Sequence, residues 1–141
     1  MSLRVGMDLV DVRDVEESVA QFGDRYLQRV FTTREVAACA DGADARRLAA
    51  CFAAKEATLK SIAADGDAVD WRSIELLLGP SSGPAVELSG ASADLAARTG
   101  IVRLSVSVGT TRSYAAAVVL AEGTTTVGEA QGGTWTTASD R

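Results

Sequence analysis

Apolar and other residues alternate at the start of the chain, which is typical of a β-strand with one apolar side. The apolar positions are Leu3, Val5, Met7 and Leu9. Asp8 has the opposite phase, so its carboxylate is predicted to face away from that apolar row. Four later segments are also strand-like, and a turn over 109–112 predicts that the last two form a hairpin. These segments span residues 74–78, 85–88, 102–108 and 114–120.

Helical signals occupy the intervals between the strands. A polar, amphipathic stretch spans residues 11–29, and Thr32 and Thr33 are candidate caps for a short helix over 34–39. The longest helix is predicted over residues 44–64, where Asp and Gly at 65–66 end it. Another short helix is predicted around residues 91–98.

The combined pattern predicts an α+β fold in which a long helix packs on a largely antiparallel sheet. A chain of 141 residues is most simply one domain with a substantial core. From residue 122 onward the sequence is rich in Gly, Thr and Ser. We therefore predict one domain over residues 1–122 and a disordered tail over residues 123–141.

Composition and hydropathy limit the partners of the protein and the compartment in which it works. The net charge of −5 argues weakly against nucleic acid as a partner. No signal peptide opens the chain, and no apolar run approaches the ~20 residues of a membrane span, so no membrane association is predicted. Cys39 and Cys51 lie in predicted helices and form neither a disulfide framework nor a metal-ligand pattern. A reducing cytoplasm is the simplest interpretation.

The complete absence of histidine excludes several catalytic classes. Neither Ser-His-Asp nor Cys-His catalysis is possible, and no zinc ion can be bound through histidine. Acid–base chemistry must therefore use Asp, Glu, Lys, Tyr, Cys or water.

Lysine is rare, and both copies lie close together. Lys55 and Lys60 are the only lysines among 14 basic residues, with Glu56 between them. A lysine ammonium is a compact charge that suits phosphate contact. Together with the carboxylates of Glu56 and Asp8, it could support Mg²⁺-assisted chemistry on a phosphate ester.

Each of these residues also has an ordinary structural interpretation. Lys55 falls inside an apolar helical stripe, where its stem could lie on the core while its amine reaches solvent. Glu56 and Lys60 could form a surface ion pair worth only ~0.3–0.5 kcal/mol. Asp8 could be a solvated carboxylate near a strand end. Their combination, rather than any one of them, indicates a functional site.

Two segments supply a family resemblance: Val-Gly-Met-Asp-Leu-Val at residues 5–10 and Phe-Ala-Ala-Lys-Glu-Ala at residues 52–57. Over residues 3–122 the chain resembles the holo-acyl-carrier-protein synthase type of 4′-phosphopantetheinyl transferase. The resemblance implies the fold of that superfamily. It also implies transfer of phosphopantetheine from coenzyme A to a serine of an acyl carrier protein, with release of 3′,5′-ADP. Such a reaction belongs to fatty acid or polyketide biosynthesis.

The resemblance also implies roles for particular residues. Asp8 and Glu56 would bind Mg²⁺, Lys60 would contact the transferred phosphate, and a water would deprotonate the serine. Coenzyme A would bind through a wider set: Lys55, Arg47, Gly83, Pro84 and Ser107. The carrier protein would dock through three arginines: Arg13, Arg25 and Arg29. The family further implies a homotrimer with its sites between subunits.

Three positions depart from the family pattern and leave an alternative open. Cys51, Gly83 and Val108 stand where the family carries basic residues, of which the arginine and histidine serve the nucleotide end of coenzyme A. One interpretation is a working transferase. The alternative is a relative that lost coenzyme A recognition and became another small-molecule enzyme or a non-catalytic carrier-binding module. Retention of Asp8, Glu56 and Lys60 places the transferase first. A structural domain without a site ranks last.

Overall fold

The computed structural model describes residues 1–62 and 70–124, and these form five strands in two antiparallel sheets. The strands are β1 (Ser2–Asp11), β2 (Ile74–Gly79), β3 (Gly83–Leu88), β4 (Ile101–Thr110) and β5 (Tyr114–Gly123). The main sheet has the order β1-β5-β4, and β2 and β3 form the smaller sheet. The predicted hairpin is the β4–β5 pair.

Five α-helices pack around these sheets. They are α1 (Val12–Phe22), α2 (Asp24–Val30), α3 (Thr33–Ala38), α4 (Ala45–Ile62) and α5 (Gly90–Arg98). Short 3₁₀ turns at Ala40–Gly42 and Trp71–Ser73 precede α4 and β2. The α+β prediction is confirmed. The predicted end of the long helix at 63–66 and most of the predicted tail, residues 125–141, lie outside the described residues. Gly123 belongs to β5, one residue beyond the predicted end of the domain.

Local sequence signals explain where the first helices begin and end. The amphipathic stretch forms two helices because the chain turns at Gly23, whose φ of 53° is readily available only to glycine. Thr32 caps α3 as predicted and forms a capping box with Glu35. Its hydroxyl accepts the Glu35 N–H at 3.2 Å, and the Glu35 carboxylate accepts the Thr32 N–H at 2.9 Å.

The long helix α4 lies directly against the main sheet, and small residues make this close approach possible. A Cβ added to Gly6 of β1 would lie 1.9 Å from the carbonyl oxygen of Ala57 on α4, so no side chain fits there. On β5, Ala115, Ala117 and Ala121 are buried beneath the same helix. The separation of β1 from α4 is therefore set by the absence of larger side chains.

The predicted alternation in β1 is confirmed. The side of the strand that faces the core is the side opposite the apolar row. Gly6, Asp8 and Val10 are buried. The outward residues Leu3, Val5, Met7 and Leu9 keep between 51% and 65% of their surface exposed. Asp8 consequently faces α4, while an apolar row faces solvent in the single chain. Among the helices of residues 1–62 and 70–124, none has both the length and the hydropathy that a membrane crossing requires.

Candidate functional site

Asp8 is held between β1 and the C-terminal half of α4. It is only 3% exposed, so its interpretation as a solvated carboxylate is wrong. The Nζ atom of Lys60 lies 3.0 Å from Asp8 Oδ1 and donates a second hydrogen bond to the Met7 carbonyl at 3.2 Å. The structure therefore brings together two of the three predicted catalytic residues, which are far apart in sequence.

Glu56 lies one helical turn before Lys60 on α4 and is partly exposed. This spacing places Glu56 and Lys60 on the same side of the helix, the side from which Lys60 reaches Asp8. Carboxylate, ammonium and partly open surface thus occur together at the junction of β1 and α4. Such a combination can bind a phosphate ester together with a cation.

The carboxylates of Asp8 and Glu56 fit Mg²⁺ better than they fit a metal whose ligands all come from the protein. Within residues 1–62 and 70–124 there is no cluster of three or more Asp, Glu, Cys or His side chains able to hold a metal ion. Asp8 and Glu56 would therefore supply at most two protein ligands. Mg²⁺ is commonly bound by one or two carboxylates plus substrate phosphates and water.

Lys55 has a different environment from Lys60, although both are on α4. Its side chain is fully buried, so the interpretation in which its amine reaches solvent is wrong. Nζ lies 2.8 Å from Glu35 Oε2 and also donates to the carbonyls of Trp71, at 2.9 Å, and Ile74. These partners surround the ammonium, which argues against the predicted direct contact of Lys55 with coenzyme A.

Glu35, which the sequence analysis did not assign, is the centre of this buried network. Besides pairing with Lys55, its Oε1 accepts the backbone N–H of Leu76 at 2.8 Å. One carboxylate therefore joins α3, α4 and β2. The Thr-x-x-Glu spacing of residues 32–35 could have indicated one of its hydrogen bonds, that of the capping box, but local spacing gives no sign of the long-range partners.

The other residues predicted to bind coenzyme A lie in separate parts of the chain. Arg47, near the start of α4, donates to the Ala38 carbonyl at 2.9 Å. Gly83 and Pro84 are exposed at the start of β3. Val118 on β5 is the register partner of both Ser107 on β4 and Met7 on β1. Register partners share one face of a sheet, so Ser107 lies with Met7 on the outward side of the main sheet. Asp8 lies on the inward side, so one chain does not bring Ser107 and Asp8 together.

The three departures from the family pattern also have different surroundings. Cys51 is only 2% exposed and lies in the core of the larger hydrophobic cluster. Val108 is partly buried against that cluster. Gly83 is exposed with a φ of 73°. The predicted carrier-docking arginines, Arg13 on α1 and Arg25 and Arg29 on α2, are all exposed.

Comparison with known proteins identifies the class to which this fold and site belong. The family model described as the 4′-phosphopantetheinyl transferase superfamily matches residues 4–119. Because the match covers most of the chain, the protein belongs to that superfamily. The predicted family is therefore confirmed.

Individual relatives narrow the similarity. The chain is 36% identical over 117 residues to a holo-[acyl-carrier-protein] synthase of Rhodopirellula baltica, covering 82% of this chain and 94% of the relative. It is 38% identical over 124 residues to the holo-[acyl-carrier-protein] synthase of Koribacter versatilis, covering 86% of this chain and 99% of the relative. These relatives align over nearly their whole length.

Solved structures agree with the sequence relatives. The Helicobacter pylori holo-[acyl-carrier-protein] synthase in complex with coenzyme A has a TM-score of 0.73 and 27% identity, covering 84% of this chain and 99% of that one. The Chronobacterium ammoniagenes ACPS–CoA complex has a TM-score of 0.77 and 27% identity, covering 89% of this chain and all of the other. The predicted fold is therefore confirmed at the level of the superfamily.

Proposed function

We propose that this protein transfers 4′-phosphopantetheine from coenzyme A to a serine of an acyl carrier protein in a Mg²⁺-dependent reaction. The observation that carries the proposal is the contact of Asp8 with Lys60 beside Glu56, at the junction of β1 and α4. The relatives named holo-[acyl-carrier-protein] synthase and the coenzyme A complexes among the structural neighbours support it.

The two carboxylates have complementary positions for a cation. Asp8 is fixed on a strand and buried, whereas Glu56 lies on a helix and is partly exposed. Together they would hold Mg²⁺ and leave its other positions to phosphate oxygens and water. When bound there, the cation would neutralise the negative charge that grows on the phosphate of the leaving 3′,5′-ADP.

Lys60 is suited to hold the transferred phosphate in place. Its ammonium is anchored by Asp8 and the Met7 carbonyl, while 36% of its side chain remains exposed. An anchored but open ammonium can donate a further hydrogen bond to an incoming phosphate. Lys55 would act indirectly, by holding α4 in place from its buried position.

The outward side of the main sheet supports self-association, which we propose is the trimer implied by the family. The apolar row of β1 continues onto β5 through Val118, which is 41% exposed. An exposed apolar surface of this kind commonly marks an interface. Ser107 lies on the same side, so contact with another chain could bring it to a site that its own chain does not complete. Sedimentation equilibrium should give a mass three times that of one chain; a monomer would contradict this part of the proposal.

The exposed helices α1 and α2 are the proposed docking surface for the carrier protein. Arg13, Arg25 and Arg29 can bind carboxylates on an acidic partner. We place the reaction in the cytoplasm, on the basis of the two free cysteines. We place it within fatty acid or polyketide synthesis, as the family implies. The alternative of a repurposed relative depended on the departures at Cys51, Gly83 and Val108, and the similarity to coenzyme A-bound synthases favours the transferase instead.

The decisive experiment combines the protein with coenzyme A, Mg²⁺ and a panel of apo-carrier proteins, and looks for the phosphopantetheine mass increment. We expect Asp8→Ala and Glu56→Ala to abolish the increment and to weaken binding of Mn²⁺, a spectroscopic substitute for Mg²⁺, in electron paramagnetic resonance titrations. Asp94→Ala, at an exposed carboxylate on α5, is the matched control and should behave like the unmodified protein.

Two results would overturn the proposal. Full transfer in excess chelator would remove the metal from the mechanism. No transfer to any carrier, with a folded protein that fails to bind coenzyme A in calorimetry, would favour the repurposed relative.

A further inference from the structure

The ammonium of Lys60 contacts the same carboxylate that we propose as a ligand of Mg²⁺. Its Nζ atom lies 3.0 Å from Asp8 Oδ1 and also donates to the Met7 carbonyl at 3.2 Å. Asp8 is only 3% exposed, so few directions of approach to its carboxylate are open. The structure therefore holds one positive charge at a position where the proposed reaction would need another.

The formal charges around this contact show why the overlap matters. The carboxylates of Asp8 and Glu56 and the ammonium of Lys60 together carry one net negative charge. A divalent cation added alone would reverse the sign of that charge and would have the ammonium as a close neighbour. The negative charge of a pyrophosphate would offset the added cation. Like charges at short range repel, so the cation and the phosphate should each favour the binding of the other.

The contacts of Lys60 can be exchanged without disturbing the core. Its side chain is 36% exposed, and its hydrogen bond to the Met7 carbonyl is open to solvent, so water can replace the ammonium there at little cost. Asp8 lacks this freedom, because its short side chain is buried between β1 and α4. The flexible stem of the lysine makes the ammonium, rather than the carboxylate, the part of the ion pair that can move.

We propose that Lys60 is a place-holder for the metal ion on Asp8 and thereby couples the binding of Mg²⁺ to the binding of coenzyme A. In the absence of a phosphate, the ammonium stays on the carboxylate and weakens metal binding. An incoming phosphate draws the ammonium away from Asp8. The carboxylate then becomes available to Mg²⁺ when phosphate oxygens are also present as ligands.

This inference rests on the proposed function, because it concerns the regulation of the same site. It adds that the protein should bind a divalent metal weakly alone and more tightly together with its substrate. Thermodynamic linkage makes the effect reciprocal: the factor by which coenzyme A strengthens metal binding is also the factor by which the metal strengthens coenzyme A binding. The coupling can be measured without a carrier protein and without turnover.

The first test measures Mn²⁺ binding to the full-length protein without coenzyme A, by electron paramagnetic resonance titration. Lys60→Met keeps most of the stem and removes the charge, so it should bind Mn²⁺ roughly 5–50-fold more tightly than the unmodified protein. Lys60→Arg retains a positive charge and should bind Mn²⁺ as weakly as the unmodified protein. Arg34→Gln, the matched control, removes an exposed positive charge on α3 and should leave the Mn²⁺ affinity unchanged.

The second test repeats the titrations at coenzyme A concentrations that saturate each protein in calorimetry. Phosphate oxygens should strengthen Mn²⁺ binding in every variant, so the informative quantity is the factor by which coenzyme A lowers the Kd of Mn²⁺. That factor should be roughly 5-fold or more larger in the unmodified protein than in Lys60→Met, because only the unmodified protein has an ammonium to move away from Asp8.

The outcomes separate this inference from the proposed function. Equal or weaker Mn²⁺ binding by folded Lys60→Met would overturn the inference, since the ammonium would then not oppose the metal. Tighter binding with an unchanged coenzyme A factor would show a fixed charge effect and would overturn the exchange of partners. Neither result concerns transfer activity. No Mn²⁺ binding by any of these proteins, with or without coenzyme A, would reject both the inference and the proposed metal dependence. Lys60→Gln replaces Lys60→Met in both tests if the methionine variant does not fold.

Discussion

Lys55 and Lys60 form two ion pairs from the same helix, and the surroundings of those pairs are opposite. Lys55 and Glu35 are both fully buried, with Nζ 2.8 Å from Oε2. Lys60 and Asp8 are 3.0 Å apart, but only the aspartate is buried. The first ammonium also has two backbone carbonyls as partners, whereas the second retains an exposed portion that faces away from the core.

The contrast predicts that the exposure of the lysine, more than the presence of an ion pair, distinguishes a lysine that can contact a phosphate from one that only stabilises the fold. An ion pair in which both partners are buried is fixed in place, because breaking it leaves an uncompensated charge in the core. An ion pair in which only the carboxylate is buried would let the lysine exchange a hydrogen-bond partner when a phosphate binds. The difference can be tested by changing each pair separately.

The largest effect should follow from Glu35→Gln. The amide keeps the size of the side chain but leaves the Lys55 ammonium without a countercharge, so we expect a loss of about 3–5 kcal/mol in the free energy of unfolding. Urea denaturation measures it. Adding Lys55→Met to this variant removes the stranded charge and should recover part of the loss.

Arg34→Gln is the matched control for Glu35→Gln. Arg34 is the neighbouring residue on α3, and its ion pair with Glu75, at 3.1 Å, has one exposed partner: the arginine side chain is 68% exposed and the glutamate side chain 17%. Breaking it should change stability by less than about 1 kcal/mol. Equal losses in Arg34→Gln and Glu35→Gln would remove the distinction drawn between a pair with both partners buried and a pair with one exposed partner.

Lys60→Ala should act on the reaction more than on the fold. We expect a decrease in kcat of roughly 10²–10³-fold with a smaller change in KM, because the ammonium would stabilise charge that develops in the transition state. Lys60→Arg should restore only part of the rate, since the guanidinium has a different shape and hydration. Unchanged kinetics in Lys60→Ala would return Lys60 to the status of an ordinary ion-pair partner.

Gly6→Ala should disturb the Asp8–Lys60 ion pair while leaving the Lys55–Glu35 ion pair in place. The added methyl would press on the Ala57 carbonyl and move β1 away from α4, with a loss of about 1–3 kcal/mol in unfolding free energy and lower transfer activity. Gly109→Ala is the matched control, because a Cβ at that position of β4 meets nothing within 4 Å. Full activity in a Gly6→Ala variant of normal stability would show that this close approach does not position Asp8.

The elements that the sequence predicted well are those specified by local signals. The Thr32 cap, the long helix and the β4–β5 hairpin each follow from residues close together in the chain. The break at Gly23 was missed because the amphipathic pattern continues across it, and a single glycine gives no warning of its backbone conformation. The outward direction of the β1 apolar row was not specified, because period-two alternation reveals phase without revealing which side meets the core.

For the candidate site, residue types and family resemblance suggested Asp8, Glu56 and Lys60, and the fold brings Asp8 and Lys60 into contact. Their catalytic roles remain predictions. The sequence could not show that Lys55 is enclosed, because its partners Glu35, Trp71 and Ile74 come from elements distant along the chain.

The outward apolar row of β1 gives this single strand two separate patterns of mutational tolerance. At positions 6, 8 and 10, a substitution meets α4 or the site directly, so few replacements should be accepted in any assembly state. At positions 3, 5, 7 and 9, the side chain meets whatever covers the outer face, so one apolar residue should exchange for another while charged residues are rejected only where chains associate. A saturation mutagenesis scan across β1 would thus show mutational tolerance that alternates with a period of two. Tolerance at the even positions would report on the fold and site of the single chain, and tolerance at the odd positions on association between chains.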